Sequence, residues 1–413
     1  MNWKNLISED IELVKRRNVE MKLWPMSQPS SSEVTTPSIA NKLFMFSGND
    51  YLGLSGHPDV RAATQKAAMS TYGIGSRGSP LACGYTSYHA ELCELLARVK
   101  NKENCVLFPT GFSANLAVLQ SLTSAILEQS SMKLIIFSDE YNHASIIDGC
   151  RLSKQMGRHQ VRLIVYPHKN ISVVEENVSR YINDDVMFVV FSDSLFSVDG
   201  DFCPLPELAT LKQTYGDRLL LILDEAHDTL VTGEGDGGRT DQSLYNYADC
   251  RVGTLSKAVG LLGGFVCCSQ NLSKLIINRA RLLMFSTALP IPVVASAIAS
   301  IKVGLSSEGT SLRKKLWQLV DLFVDGLNPE YKPIDRSPII PIILNHEDKA
   351  LEVSHDLALK GFFVKTLRPP AVPKGTSRLR VTLSAIHTRE HVLMLLGCLH
   401  DHGIAGYQPK YKL

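Results

Sequence analysis

The stretch LLLILDEAHD, from Leu219 to Asp228, is the segment on which the prediction of the fold rests. Five consecutive apolar residues end directly at Asp224, a length and pattern typical of a strand buried on both faces. KLIIFSDE at Lys133–Glu140 and VMFVVFSDS at Val186–Ser194 repeat the pattern. Such strands lie in the middle of parallel sheets that are covered by helices. The three segments predict an α/β fold with a mostly parallel sheet.

Polar residues end each of these predicted strands. Ligands of parallel α/β sheets bind beyond the carboxyl ends of the strands, where Asp139, Ser192 and Asp224 are expected to lie. A half-buried Asp224 needs a cationic or hydrogen-bonding partner, and His227 follows it by three residues. The pair could form a metal site, a catalytic dyad or a structural contact. The helicase interpretation of Asp-Glu-Ala-His is excluded because no Gly-Lys-Ser/Thr phosphate loop precedes it.

Upstream, LFPTGFSANLAVLQSL at Leu107–Leu122 predicts a strand, a turn at Gly111 and a helix from about residue 114 to 122. Thr110 or Ser113 could cap that helix. Its free backbone N–H groups and positive dipole end would suit a phosphate. An ordinary capped turn explains the same pattern.

Downstream, CRVGTLSKAVGLLGGFVCCS at Cys250–Ser269 places Lys257 among small and apolar residues. Desolvation disfavours the ammonium form, lowers the pKa and frees the amine to attack carbonyl compounds. The alternative is a surface lysine that extends its charge into water from a glycine-rich loop.

The order of the three features favours one cofactor. A phosphate-binding helix start, an acid that can pair with a pyridine nitrogen and a lysine that can form a Schiff base are the groups that pyridoxal phosphate requires. Gly111, Asp224 and Lys257 occur in that order along the chain.

Composition excludes several other classes of function. The chain has 413 residues, of which 45% are hydrophobic and 20% charged, and its formal net charge of +2 favours neither nucleic acid nor an anionic membrane. Nine cysteines without a Cys-x-x-Cys pair indicate reduced thiols rather than a zinc site or disulfides. The longest weakly polar stretch, residues 288–301, is too short to span a bilayer.

We predict three regions along the chain. Residues 1–43 form an N-terminal helix (3–23) and a linker with the polar loop 27–38, residues 44–290 form the large domain, and residues 291–413 form a smaller α+β domain. Within the last region, residues 294–327 are predicted helical, and PIIPIIL at 338–344 and SRLRVTLSA at 377–385 are predicted strands.

With these residues identified, the sequence resembles the α-oxoamine synthases, pyridoxal-phosphate enzymes of fold type I, the aspartate aminotransferase-like fold. The resemblance covers most of the chain. It is carried by FSGNDYLGLSGHP (46–58), GIGSRGSPLACGYTSYHAELCELLA (73–97), PTGFSANLAVL (109–119), SDEYNHASIIDGCRLS (138–153), DSLFSVDGDFCPLPEL (193–208), LDEAHDTLVTGEGDGG (223–238), GTLSKAVGLLGGF (253–265), FSTALPIP (285–292) and RPPAVPKGTSRLRVTLSAIHT (368–388).

The resemblance implies roles around the cofactor ring. Lys257 would form the Schiff base and later exchange the substrate's Cα proton. Asp224 would pair with the pyridine nitrogen, and His143 would stack on the ring. Ser197 and His227 would contact the side of the ring that carries its oxygen.

Further residues would bind the phosphate. Gly111 and Phe112 would offer backbone N–H groups, helped by Thr254. Ser286 and Thr287 would reach the phosphate of a neighbouring subunit, since the active sites of the family lie at a homodimer interface.

The resemblance also implies the substrates. Arg380 would hold the amino-acid carboxylate with Asn49 nearby, and the motifs indicate L-alanine and pimeloyl-CoA, joined with loss of CO2 in biotin synthesis. Members that use glycine or serine remain alternatives: 2-amino-3-ketobutyrate ligases, 5-aminolevulinate synthases and serine palmitoyltransferases. So does a non-catalytic binding subunit, which Lys257 argues against. Arg378 shares a strand face with Arg380 and could belong to a solvated stripe.

Three positions depart from the family pattern. Asp228 replaces a small residue and would add negative charge near the ring. Ala371 replaces a threonine, and Met21 stands where bacterial relatives have a substrate-binding arginine.

The ends of the chain bear on its location. The N-terminus has neither a signal-peptide apolar core nor the acid-poor character of a transit peptide. Tyr411-Lys412-Leu413 matches the peroxisomal Ser-Lys-Leu address in its last two residues only. The expected location is therefore cytoplasmic or peroxisomal.

Overall fold

The computed structural model describes residues 2–16, 23, 25–27, 32–36, 39–129, 131–182, 185–236 and 240–406. The predictions made for Met21 and for the C-terminal tripeptide fall outside these residues. The described N-terminal part of the predicted helix 3–23 is helical from Trp3 to Arg16.

The α-helices follow one another along the chain as α1 (Trp3–Arg16), α2 (Pro58–Ala68), α3 (Ser87–Val99), α4 (Gly111–Leu127), α5 (Ala144–Gly157), α6 (Ile171–Tyr181), α7 (Leu205–Tyr215), α8 (Gln270–Arg279), α9 (Arg281–Met284), α10 (Ile291–Leu305), α11 (Ser307–Gly326), α12 (Glu347–Leu359) and α13 (Arg389–His400).

The strands are β1 (Glu33–Thr36), β2 (Ile39–Met45), β3 (Asn104–Phe108), β4 (Lys133–Asp139), β5 (Val161–Tyr166), β6 (Val186–Asp193), β7 (Leu219–Asp224), β8 (Cys250–Thr254), β9 (Gly264–Cys268), β10 (Ile339–Asn345), β11 (Phe362–Phe363), β12 (Lys365–Leu367) and β13 (Ser377–Thr382).

A seven-stranded sheet in the order β3-β9-β8-β7-β6-β4-β5 forms the centre of the molecule. The pairs among β8, β7, β6, β4 and β5 are parallel, and only β9 runs antiparallel to its neighbours β3 and β8. The mostly parallel sheet predicted from the apolar runs is confirmed. Apolar side chains on its two faces pack into separate clusters beneath α4, α5 and α8 on one side and α6 and α7 on the other.

Two three-stranded sheets complete the fold. The antiparallel sheet β10-β13-β12 contains the two strands predicted near the C-terminus. In the other sheet, β1 pairs with β2, and β2 runs parallel to β11. The loop prediction for residues 27–38 is therefore wrong at Glu33–Thr36, because pairing with β2 supplies the hydrogen bonds that this polar sequence lacks alone.

The predicted helix 294–327 is two helices that meet at a bend of 72°. Ser306 between them has extended backbone, and its hydroxyl accepts the N–H of Gly309 as the cap of α11. A serine cap therefore divides an apolar pattern that looked continuous. Among the described residues, no single helix is long and apolar enough to cross a membrane, although this bent pair would qualify by length and composition.

A buried cluster of charges ties the sheet to α3. The carboxylate of Glu225, directly after β7, accepts from Lys100 Nζ at 2.6 Å and from Arg251 Nη2 at 2.8 Å. Lys100 Nζ also donates to Thr229 Oγ1 at 2.9 Å. Burial would raise the pKa of Glu225, but the two cations outweigh it and lower the pKa to about 2. The carboxylate remains charged, and it fixes the segment that follows Asp224.

Replacing Glu225 by alanine tests this cluster. The change leaves two buried cations without their shared carboxylate, and the loss of one partner of a buried pair costs about 3–5 kcal/mol. We expect the free energy of unfolding in urea to fall by that amount. Glu176→Ala is the control, because Glu176 is exposed in its ion pair with Arg180 and should change stability little. Equal stability of both variants would contradict a structural role of the cluster.

Candidate active site

The turn between β3 and α4 forms a helix start that can bind an anion. Thr110 caps the 17-residue α4, its hydroxyl accepting from Ser113 N at 3.1 Å, and Ala114 N donates to Thr110 O. The N–H groups of Gly111 and Phe112 precede these bonds and are not used by the helix. They occupy the positions predicted to bind phosphate.

Two glycines bring the segment around Lys257 against this turn. A Cβ on Gly264 would lie 2.2 Å from Thr110 O, and one on Gly111 would lie 3.0 Å from Thr254 Cβ. The hydroxyl of Thr254 donates to Gly263 O at 2.9 Å and contacts Ser256 Oγ at 2.8 Å. Ser256, which sequence reasoning missed, is exposed beside the turn and is a second hydroxyl available to a phosphate.

Asp224 ends β7, as predicted from its position after the apolar run, and it is buried rather than half-buried. Asn115 Nδ2 donates to Asp224 Oδ2 at 2.6 Å, and Ala226 N donates to Oδ1 at 2.8 Å. His227 bonds Tyr51 instead, so Asp224 and His227 take different partners. Among the described residues, no group of three or more His, Cys, Asp or Glu side chains could hold a metal ion.

Lys257 lies in the turn that follows β8, close to charged groups of both signs. Burial lowers its pKa from 10.5 to about 8, opposed by Asp224 and Asp193 and assisted by Arg380. No hydrogen bond or ion pair within the described part of the chain engages Nζ. Lys257 is half-buried rather than fully exposed, and its lowered pKa makes the neutral, nucleophilic amine more accessible than in an ordinary surface lysine.

His143 is held at the start of α5 by the end of β6. Its backbone N–H donates to Asp193 Oδ2 at 2.6 Å, and its Nδ1 lies 2.7 Å from Ser145 Oγ. Burial lowers the pKa of His143, which favours the neutral ring suited to stacking. Sequence reasoning missed Asp193. This residue ends β6 just as Asp224 ends β7, and the two residues lie side by side in the sheet.

His227 is positioned by a residue of the motif 46–58 to which the sequence pattern assigns no role. Tyr51 Oη lies 2.6 Å from His227 Nδ1. Burial raises the pKa of Tyr51 to about 12 and lowers that of His227 far below its usual range. The phenol therefore donates to Nδ1, which leaves the proton of the neutral ring on Nε2, free for donation to a ligand oxygen.

Arg380 joins the predicted carboxylate site. Its Nε donates to Ser197 O at 2.6 Å, and its two terminal nitrogens each lie 3.4 Å from Asn49 Oδ1. The predicted proximity of Arg380 and Asn49 is present. Ser197, predicted beside the ring oxygen, contacts Arg380 through its backbone carbonyl. Arg378 is buried and pairs with Asp199, so the solvated alternative for Arg378 is wrong.

Ser286 and Thr287 are not brought to the rest of the site. They line a separate cavity of about 320 Å³ with Tyr85, Phe108 and other mainly apolar residues. Thr287 is exposed and Ser286 is partly exposed. Their assignment to a neighbouring subunit remains a prediction.

The departures from the family pattern fall in different surroundings. Asp228 is buried, bonds the hydroxyl of Thr232 and contacts Tyr245. Burial and the nearby charge of Glu225 raise the pKa of Asp228, while its bonds to Thr232 and Tyr245 lower it. The effect of this carboxyl on the ring stays a prediction. Ala371 is exposed.

The arrangement fits pyridoxal phosphate. It supplies unused N–H groups at Gly111 and Phe112, a buried carboxylate at Asp224, an unpaired amine at Lys257 and a neutral histidine donor at His227. Asn115 Oδ1 is also buried without a hydrogen-bond partner, in the same space beside Asp224.

Comparisons with known proteins agree with this arrangement. The sequence model of the family Aminotransferase class I and II matches residues 41–399. An 8-amino-7-oxononanoate synthase from Arabidopsis thaliana is 43% identical over 94% of this chain and 83% of its own length. A solved structure of SPT with PLP is 26% identical, covers 97% of both chains and has a TM-score of 0.83. An 8-amino-7-oxononanoate synthase structure from Francisella tularensis is 26% identical over 87% of this chain and 98% of its own, with a TM-score of 0.68.

The lowered pKa of Lys257 predicts how the cofactor-free protein reacts with pyridoxal phosphate. The neutral amine is the reactive form, and it predominates above about pH 8. The initial rate, followed by absorbance, should rise between pH 6.5 and 8.5 and then level off. An ordinary lysine would give a rate that rises up to pH 10. Lys257→Ala should show neither the rise nor the absorbance change.

Proposed function

The chain belongs to the α-oxoamine synthases within the class I and II aminotransferase family, and we propose that it is an 8-amino-7-oxononanoate synthase. The reaction is the pyridoxal-phosphate-dependent condensation of L-alanine with pimeloyl-CoA, which yields 8-amino-7-oxononanoate, CoA and CO2. The observation that carries the proposal is the convergence of Asp224 and Arg380 on Lys257, whose pKa both residues affect, in a chain 43% identical to a protein of that name.

Residues of this chain would hold the cofactor through three contacts. Gly111 and Phe112 would bind the phosphate, Asp224 the ring nitrogen and His227 Nε2 the ring oxygen. When bound, pyridoxal phosphate supplies an electron sink that stabilises negative charge at the Cα of an amino acid. Asn115 and the backbone of Ala226 keep Asp224 oriented toward that ring nitrogen.

Lys257 and Arg380 would act on the amino acid. Arg380 presents its guanidinium to the carboxylate while its Nε remains bound to Ser197 O, and a guanidinium suits a carboxylate because it can donate twice. With a pKa of about 8, Lys257 Nζ is suited to remove the Cα proton and to return a proton at the end. Asp193 and Asp224 stabilise its protonated form between these two events.

Other members of the family remain a second candidate. SPT structures match this chain over almost its entire length. The identity of 26% to those structures is well below the 43% to the Arabidopsis protein. We therefore favour alanine and a dicarboxylic acyl thioester over serine and a long-chain thioester.

A homodimer with shared active sites is part of the proposal. Large apolar side chains are exposed around the cavity that Ser286 and Thr287 line: Leu81 is 54%, Tyr85 50% and Phe285 71% exposed. Such a cluster is more typical of an interface than of a monomer surface. A second copy of the chain would cover it and place Ser286 and Thr287 at the phosphate site of its partner.

The substrates are tested by release of CoA. L-alanine, glycine and L-serine are each offered with pimeloyl-, acetyl-, succinyl- and palmitoyl-CoA, and L-alanine with pimeloyl-CoA should give the highest kcat/KM. Lys257→Ala is the inactive control. A preference for glycine with acetyl-CoA, or for serine with palmitoyl-CoA, would replace the proposed function by that of the corresponding family member.

The shared active site is tested by mixing two inactive variants. Lys257→Ala and the double variant Ser286→Ala with Thr287→Ala should each lose most activity as homodimers. Co-expressed in equal amounts, they should recover about a quarter of wild-type activity, since half of the dimers contain one intact site of two. Full activity of the double variant alone, or no recovery in the mixture, would contradict the arrangement.

A further inference from the structure

A charged cluster outside the proposed cofactor site connects the large sheet to Arg380. His168 lies just beyond β5, with Asp139 at the end of β4 on one side and Asp201 on the other. Nδ1 is 2.8 Å from Asp139 Oδ1, and Nε2 is 2.9 Å from Asp201 Oδ2. We call these three residues the His168 clamp.

Both ring nitrogens of His168 face carboxylate oxygens. A neutral imidazole has one N–H and could donate to only one of them, whereas the imidazolium donates to both. Rings enclose His168 as well: Tyr141 stacks on it with centroids 4.5 Å apart, and Phe196 meets it edge-on at 4.6 Å. The geometry therefore selects a charged ring in a fixed orientation.

Five other charged groups lie around the clamp. Glu140 accepts the backbone N–H of His168 at 2.9 Å, and Lys169 Nζ donates to Asp201 at 3.0 Å and reaches Asp335 at 3.4 Å. Asp199 and Arg378 act on the neighbouring Tyr141. Burial lowers the pKa of His168, but its bonds to the two carboxylates outweigh this and raise the pKa to about 9.

Asp201 is the last residue of the loop 196–201, which contacts both Arg378 and Arg380 of β13. Phe196 N donates to Asp201 O, and Ser197, next in the chain, gives its carbonyl to Arg380 Nε. A Cβ on Gly200, whose φ is +66°, would lie 1.9 Å from Ile339 O, so the loop is packed directly against β10. The orientation of Arg380 thus depends on a loop whose far end is held by the clamp.

We propose that His168 is a positioning residue for amino-acid binding: as an imidazolium between Asp139 and Asp201 it fixes the loop that orients Arg380 toward the substrate carboxylate. His168 itself contacts neither substrate nor cofactor. The proposal rests on the proposed function only in assigning the carboxylate to Arg380.

The test compares two ligands of the holoenzyme. The dissociation constants of L-alanine and of ethylamine, which lacks the carboxylate, are measured from the cofactor absorbance at pH 7.5. His168→Phe keeps an aromatic ring against Tyr141 but removes both N–H donors. It should weaken L-alanine binding about fivefold or more, leave ethylamine binding unchanged and raise KM for the amino acid more than it lowers kcat. The exposed His159, changed to Gln, is the matched control and should alter none of these values.

The dependence on pH separates positioning from general damage. The charge on His168 is present below about pH 9 and is lost above it, so the wild-type clamp should itself loosen at high pH. The ratio of the L-alanine dissociation constants, His168→Phe over wild type, should therefore fall toward one by pH 10. Asp201→Asn keeps an acceptor for Nε2 without the charge, and it should weaken L-alanine binding at a lower pH than in the wild type.

Three results would overturn the proposal: unchanged L-alanine binding in His168→Phe, equal weakening for ethylamine, or a ratio that stays constant up to pH 10. Should His168→Phe fail to fold, His168→Gln and Asp201→Asn give the same comparison. If wild-type protein binds glycine or serine rather than alanine, the proposed function fails, but the clamp is tested unchanged with that amino acid.

Discussion

The structure depends on how it accommodates carboxylates that are buried along one edge of its sheet. Asp224, Asp193 and Asp139 end the neighbouring strands β7, β6 and β4, and all three are buried. A buried carboxylate is stable only with hydrogen-bond donors or cations around it. Much of what surrounds this edge, from Asn115 to Lys257 and His168, supplies them.

The buried charged groups differ in how far their partners offset the cost of burial, and the chemistry of each group follows from that difference. Glu225 has two cations on its carboxylate, which lower its pKa to about 2 and make it a structural anchor. Lys257 has nearby negative charge but no hydrogen bond from the described residues, and burial leaves its pKa at about 8. The same edge therefore contains a fixed ion cluster just after β7 and a reactive amine just after the neighbouring strand β8.

Local pattern predicted the parts of the fold that burial alone decides. The apolar runs at β4, β6 and β7 are visible as strands because both faces are covered, so each residue must be hydrophobic. The local sequence pattern gave wrong predictions where a contact or a single capping residue, rather than burial, determines the structure. Residues 33–36 are a strand because β2 lies beside them, Arg378 is buried because Asp199 meets it, and one serine at position 306 divides a helix.

For the site, the sequence by itself determined which groups are present and in what order. Gly111, Asp224 and Lys257 follow identifiable strand ends and turns, and their chemistry can be inferred from residue type and neighbours. Only the tertiary structure decided which partners orient them. Tyr51 on His227, Asp193 on His143 and the His168 clamp behind Arg380 join residues 29 to 183 positions apart. Such contacts are set by the packing of sheet, helices and loops, and a hydrogen bond across the fold leaves no periodic trace in the sequence of either partner.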